Sequence, residues 1–160
     1  MNDPLERLHA LGMELPPPPE PIANYLPALR HGDLVYVSGH GSVGQDGAGI
    51  FGRLGEELDL EQGRQAACLA ALNCLAALSA VAPLSSVRQI LKLAGYVHST
   101  AGFTRQPEVL NGASDLLVAV FGPAGRHART AIGLTQTARN FAVQLEMIVA
   151  LHPANYLPTT

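Results

Sequence analysis

The order of apolar runs in this 160-residue chain predicts an α+β fold: two helices packed on one face of a mixed β-sheet. Three observations carry that expectation. Two long stretches, Leu60 to about Ala82 and one opened by residues 104–108 and stopped by Gly122-Pro123, have helical character. Around them lie short runs with strand alternation or continuous apolar character. The resulting order is strand, strand, strand, helix, strand, helix, strand, strand. Helix-mediated crossovers favour parallel neighbours and hairpins favour antiparallel ones, so the sheet should be mixed.

Along the chain, Asp3-Pro4-Leu5-Glu6 is a helix start, with Asp as N-cap, Pro first and Glu third, and Gly12 should stop that short helix. Pro16 to Pro19 form a stiff connector, so residues 1–20 are expected to be an N-terminal extension. Residues 21–152 then form one domain and residues 153–160 a C-terminal tail. Asn24 to Arg30 and Leu34 to Ser38 are extended runs around His31-Gly32-Asp33, a hairpin signal. Ser38-Gly39-His40-Gly41 is expected as a Gly-rich turn, whose glycines permit close approach of a ligand to the main chain. Residues 45–49 make a second turn, leading to an expected strand at Ile50 to Leu54.

Asp59 or a neighbour should cap the longest helix. Its centre, AACLAALNCLAALSAVA, combines strong helix formers with apolar character all round, which implies burial on more than one side. Pro83 ends it. Val87 to His98 follows as a strand with Gln89, Leu91, Leu93, Gly95 and Val97 on one face. The second helix places Val109, Leu110, Ala113, Leu116, Leu117, Val120 and Phe121 at helical spacing, with Gln106 near its cap.

Arg129 to Leu151 organises the functional reading. Arg129 to Thr135 and Phe141 to Leu151 are expected as a strand pair joined by the polar turn Gln136 to Asn140. Arg129 shares its face with Ala131, Gly133 and Thr135, small enough to leave room beside a guanidinium. Phe141, Val143, Leu145, Met147, Val149 and Leu151 share one face of the closing strand, and Gln144 and Glu146 lie among apolar residues on the other. An arginine so placed can hold a carboxylate. The plain alternative is an edge strand with charged ends.

Charged residues make up 14% and hydrophobic ones 48%, against roughly 25% charged in an average soluble chain. So little charge suggests that part of the surface is covered by self-association. The net charge of −3 and the absence of Trp argue against a nucleic-acid footprint. Cys68 and Cys74, six apart in one helix, point to different faces, which argues against a mutual disulfide or a metal site; they read as small core residues. No signal-peptide pattern and no apolar run of about 18 residues is present, so a cytoplasmic location and no membrane partner are expected. His127 reads as a rim residue rather than a base, His40 as a turn histidine and His98 as surface or packing. No Ser-His-Asp order, metal-ligand spacing or P-loop is visible.

Three stretches carry a resemblance: SGHGSV after a hairpin strand, FTRQPEVLNGASDLLVAVFG, and GRHARTAIG followed by a strand ending LEMIVAL. Over roughly residues 15–151 the chain resembles the RidA/YjgF family, the reactive-intermediate deaminases also labelled L-PSP endoribonucleases. The resemblance implies a chorismate-mutase-like fold of the bacterial type, assembled as a homotrimer with sites in the clefts between subunits. It implies hydrolysis of enamines and imines such as 2-aminoacrylate to 2-keto acids and ammonia, without cofactor or metal. The family's carboxylate-clamping arginine matches Arg129, its first-strand tyrosine Tyr25, the serine of its SGQ turn Ser38, and its helix asparagine Asn111.

The chain departs from that pattern on the closing strand. Where the family places a catalytic glutamate the chain has Gln144, and the acid comes two residues later, at Glu146. His40 replaces the glutamine that follows Ser-Gly. The expected mechanism has Arg129 holding the carboxylate, backbone groups near Gly39 and Thr130 assisting, and Gln144 with Glu146 placing water on the imine carbon. Tyr25 would close the cleft from a neighbouring subunit. Because Gln144 cannot take a proton as a carboxylate would, the competing reading is a small-carboxylate or keto-acid binding protein without turnover. Endoribonuclease activity ranks last on charge.

Overall fold

Local capping chemistry sets the starts of the first two helices. The computed structural model describes residues 3–44 and 46–153; Gln45, in the expected second turn, and most of the expected tail lie outside them. Helix α1 spans Pro4–Ala10, and α2 spans Leu60–Ser79. Both carry full capping boxes: the N-cap Asp3 and Asp59 side chains accept backbone N–H bonds, and Glu6 and Gln62 reach back. Such caps contribute about 1 kcal/mol each. α1 docks on the domain through Leu8, which is fully buried, and through Arg7 Nη1 donating to Val120 O at 3.2 Å.

The sheet has five strands: β1 (Ala28–His31), β2 (Leu34–Gly41), β3 (Val87–His98), β4 (Ala128–Leu134) and β5 (Val143–Leu151), in the order β1-β2-β5-β3-β4. Only β3 and β4 pair in parallel; the other pairs are antiparallel. Helices α2 and α3 (Gln106–Phe121) cover one face, with Leu75, Leu93, Leu110, Leu117 and Leu145 fully buried between the layers. α2 is buried on two sides by Ala66, Ala67, Ala70 and Ala71, together with Leu75 and Leu78. Gly112 brings α3 against α2 so closely that an added Cβ would sit 2.1 Å from the Arg64 carbonyl oxygen. The expected mixed sheet with two helices on one face is the observed architecture.

Several local expectations are corrected. Ile50 to Leu54 forms isolated bridges (Phe51 to Phe141, Leu54 to Leu58 and Ser99) rather than a strand, because no neighbour lies alongside it for more than one residue. Ser38-Gly39-His40-Gly41 is the end of β2 and not a turn; a register shift between Val37 and His40 re-aims it. Tyr25 precedes the first strand, which begins only at Ala28. In β3 the irregularity between Ile90 and Lys92 reverses the alternation, so Ile90 is fully buried and Leu91 is exposed.

The largest correction concerns β4 and β5, which are not neighbours. β3 lies between them, and β5 is inserted at the centre of the sheet. The physical reason is burial. Val143, Leu145, Met147, Val149 and Leu151 of β5 are all buried and require cover from neighbours on both sides, whereas most of β4 is exposed or half-buried. The connection is also too long for a tight hairpin, and Arg139 and Asn140 both adopt positive φ within it, at 53° and 63°.

Candidate functional site

β4 is an edge strand, and its register pairs Arg129 with Leu93, so Arg129 faces the helices. There its guanidinium lies against α3. Nη1 donates to Asn111 Oδ1 at 2.9 Å and to Ser114 Oγ at 3.1 Å, and Nη2 donates to Pro107 O at 3.2 Å. Asn111 and Ser114 are three residues apart, hence on one face of α3. A guanidinium has five N–H groups. Three are engaged, and two, on Nε and Nη2, have no acceptor among the described residues. Nor does any carboxylate there pair with Arg129; the ion pairs found use Arg53, Arg64 and Arg105. Asp115, beside Ser114, is turned to Arg64 at 3.0 Å. The result is a half-buried permanent cation, fixed by neutral acceptors, with two donors remaining for a planar anion.

Behind this clamp stands His127, a residue that the sequence left on the rim. Its Nδ1 lies 2.6 Å from Gly125 O and its Nε2 3.0 Å from Ser114 Oγ. Sequence reasoning missed Ser114 altogether, although its spacing from Asn111 was a usable signal.

The other candidates gather elsewhere. Tyr25, Gly39 and Gln144 line a cavity of about 270 Å³, together with His40 and Arg139. Gln144 pairs with Gly41 and Tyr96, on the sheet face away from the helices. Its amide lies across Gly39, where an added Cβ would stand 2.3 Å from Nε2. The usefulness of Gly39 is therefore its missing side chain rather than an unusual φ. Ser38 Oγ donates to Leu26 O at 2.6 Å and so ties β2 to the segment after Tyr25.

A second cavity, of about 610 Å³, lies on the open sheet face and is bordered by Tyr25, Ser38, Lys92 and Glu146. Two polar pairs sit there: Lys92 Nζ donates to Thr130 Oγ1 at 2.7 Å, and Tyr96 OH donates to Glu146 Oε1 at 3.3 Å. Burial and the Glu146 carboxylate raise the Tyr96 phenol above its ordinary range. Around them the face exposes Leu29, Tyr36 and Ile132. Within one chain, then, Arg129 and Asn111 lie at the β4 edge on the helix side, while Gln144 and Glu146 lie on the opposite face.

This arrangement can be set beside known proteins. Residues 5–146 match the family model described as "YjgF/chorismate mutase-like, putative endoribonuclease". The chain belongs to the YjgF family. Protein TCP17 of Trypanosoma cruzi is 37% identical over 147 residues, spanning 91% of this chain and 92% of that protein. The structure of Atu1372, a protein of unknown function from Agrobacterium tumefaciens, superposes with a TM-score of 0.87 at 37% identity, covering 93% and 92% of the two chains. A Shewanella oneidensis protein described as a putative endoribonuclease gives 0.88 at 34%, covering 94% and 100%. The chorismate-mutase-like fold expected from the sequence is shared with these relatives.

In this YjgF-family chain the remaining reactive groups are muted. Burial pushes the Cys74 thiol far up, and its Sγ contacts Leu145 O. Among the described residues no group of three or more His, Cys, Asp or Glu side chains could hold a metal ion, and no helix is long and apolar enough to cross a membrane. His98 is buried, with Nε2 3.1 Å from Thr135 O, which bears out a packing role.

His40 and His127 are both pushed below their ordinary value of 6.5, chiefly by burial, opposed by their contacts with Pro27 O and Gly125 O; for His127 the Arg129 charge lowers it further. The unfolded chain therefore binds protons at pH values where the native one does not. Stability is fully present above 6.5 and is lost as pH falls from there through the lowered native values. Thermal unfolding at stepped pH should show this fall, and a His127→Gln variant should show a shallower one.

Proposed function

We propose that this YjgF-family chain is a hydrolytic deaminase of reactive enamines and imines of the 2-aminoacrylate type, yielding 2-keto acids and ammonia. It would act as a cytoplasmic homotrimer without a cofactor. Its partner is a small carboxylate-bearing metabolite. The observation that carries the proposal is Arg129: three N–H groups spent on α3, two unspent, and no carboxylate partner among the described residues. Because Arg129 and Gln144 face opposite sides of one sheet, the complete site joins the Arg129 edge of one subunit to the Tyr25, Ser38, Gly39 and Gln144 surface of another. The exposed apolar residues of the open sheet face support such an assembly.

The chemistry asks little of the protein. Arg129 binds the substrate carboxylate through two parallel N–H···O bonds and fixes the imine carbon in place. Thr130 and Gly39 bound the cleft. Water attacks the imine carbon, its oxygen bonds to that carbon, and its proton passes to nitrogen. The carbinolamine then collapses: its hydroxyl proton passes to nitrogen, the C=O bond forms as the C–N bond breaks, and ammonia leaves the 2-keto acid. Gln144 orients the water through its amide oxygen, and Glu146, two residues along the same face, is a carboxylate able to accept a proton.

Gln144 also favours a second reading, a keto-acid binding protein without turnover. The two separate on one experiment: generate 2-aminoacrylate or the imine of 2-oxobutyrate in situ and follow its decay. Faster decay with the wild-type protein, raised further by Gln144→Glu, supports the deaminase. Binding of 2-oxobutyrate with no acceleration by either protein supports the binding module.

A further inference from the structure

We infer that Ser114 and His127 form a hydrogen-bonded relay that positions Arg129, making His127 a positioning residue acting through Ser114; the inference rests on the proposed role of Arg129 as carboxylate clamp. The direction of each bond follows from what each atom can do. Gly125 O can only accept, so His127 Nδ1, 2.6 Å away, carries the proton. A neutral imidazole then has a lone pair at Nε2. Ser114 Oγ, 3.0 Å from Nε2, donates its hydrogen there. That leaves the Ser114 oxygen lone pairs aimed away from His127, and one of them accepts Arg129 Nη1–H at 3.1 Å.

The relay thus runs from the guanidinium to a main-chain carbonyl through two side chains and three hydrogen bonds, every step with one defined direction. Arg129 Nη1 also meets Asn111, so both of its hydrogens are spent on α3. Full use of Nη1 turns the Nε edge of the fork outward, which is the edge that takes a carboxylate side-on. Without His127 the Ser114 hydroxyl is free to rotate and offer its hydrogen, instead of a lone pair, toward the cation. Both His127 and Ser114 are half-buried, so solvent competes weakly for these bonds. The charged groups nearest this relay do not supply the same restraint: Asp115 is paired with Arg64, and Arg126 is exposed.

The test titrates 2-oxobutyrate into the full chain and compares wild type, His127→Leu, His127→Gln, Ser114→Ala and the Ser114→Ala/His127→Leu double variant. Arg129→Ala is run beside them to check the clamp itself. The relay predicts that His127→Leu and Ser114→Ala each weaken binding about 10-fold, by loosening the guanidinium without removing it. It predicts that the double variant is no weaker than the singles, since both cut one chain. His127→Gln, whose amide oxygen can accept from Ser114, should restore binding to within about threefold of wild type. Additive losses, a Gln variant as weak as the Leu variant, or a His127→Leu affinity equal to wild type would each overturn the relay. If His127→Leu fails to fold, Ser114→Ala and His127→Gln carry the same decision. Loss of binding in Arg129→Ala with no effect of the others refutes the relay alone, whereas unchanged binding in Arg129→Ala refutes the clamp.

Discussion

Arg129→Ala is expected to lower kcat/KM for imine hydrolysis by about 10²- to 10³-fold, the loss of two charge-assisted hydrogen bonds at roughly 1.5–2 kcal/mol each. The change should leave the thermal unfolding temperature nearly untouched, because Arg129 lies at a half-exposed sheet edge and its acceptors on α3 remain reachable by water. Arg129→Lys should recover little. A lysine keeps the charge but offers a point donor, and it cannot engage Asn111, Ser114 and Pro107 on one side while presenting two parallel N–H groups on the other. Steady-state kinetics with thermal scans of the three proteins check both halves. A variant that loses activity only because it unfolds would show it in the scan.

The second large effect is on stability and comes from the packing that carries the clamp. Leu110 is fully buried beneath α3, and an added Cβ on Gly95 of β3 would lie 2.2 Å from Leu110 Cδ1. Leu110→Ala should cost about 2–5 kcal/mol through lost transfer energy and a cavity between helix and sheet. Gly95→Ala should cost about 1–3 kcal/mol by the opposite fault, since no space is left for the methyl. Combined, the new methyl occupies part of the space that Leu110 vacates, so the double variant should be at least about 1 kcal/mol more stable than the sum predicts. Denaturant unfolding at one fixed protein concentration reads all four corners of the cycle. Because Asn111 follows Leu110 directly, any loosening of α3 at this point also reaches the Asn111 oxygen that accepts from Arg129.

Much of the fold was legible because its signals are local. Asp3 and Asp59 declare their caps within three residues, and the apolar alternation of Val143 to Leu151 names the buried face of β5. What failed was long-range. Alternation assigns faces and says nothing of which strand lies beside which, so Arg129 and Gln144 looked like partners across a hairpin when β3 separates their strands. Two irregularities, between Val87 and Gln89 and between Ile90 and Lys92, reversed the expected faces of the short stretch between them in β3. The glycines around His40 resembled a turn, although their purpose is to let Gln144 and Phe141 lie flat against β2.

The site was half legible for the same reason. Arg129 and Asn111 were named from the family pattern, and the structure joins them at 2.9 Å. The pairing of Ser114 with His127 has no sequence signature, because what links them is the return of the chain through Gly122–Gly125 to bring the start of β4 under α3. Thr130 and Lys92, one on each of two neighbouring strands, meet only because β3 and β4 pair in parallel.

The two unspent donors of Arg129 are expected to take a carboxylate. Calorimetric titration of the wild-type protein with 2-oxobutyrate, and with 2-oxobutanamide as its uncharged counterpart, tests it most directly. Saturable binding of the acid, no measurable binding of the amide, and loss of the acid's binding in Arg129→Ala are expected. Equal binding of acid and amide, or an affinity for the acid that survives Arg129→Ala, would contradict it.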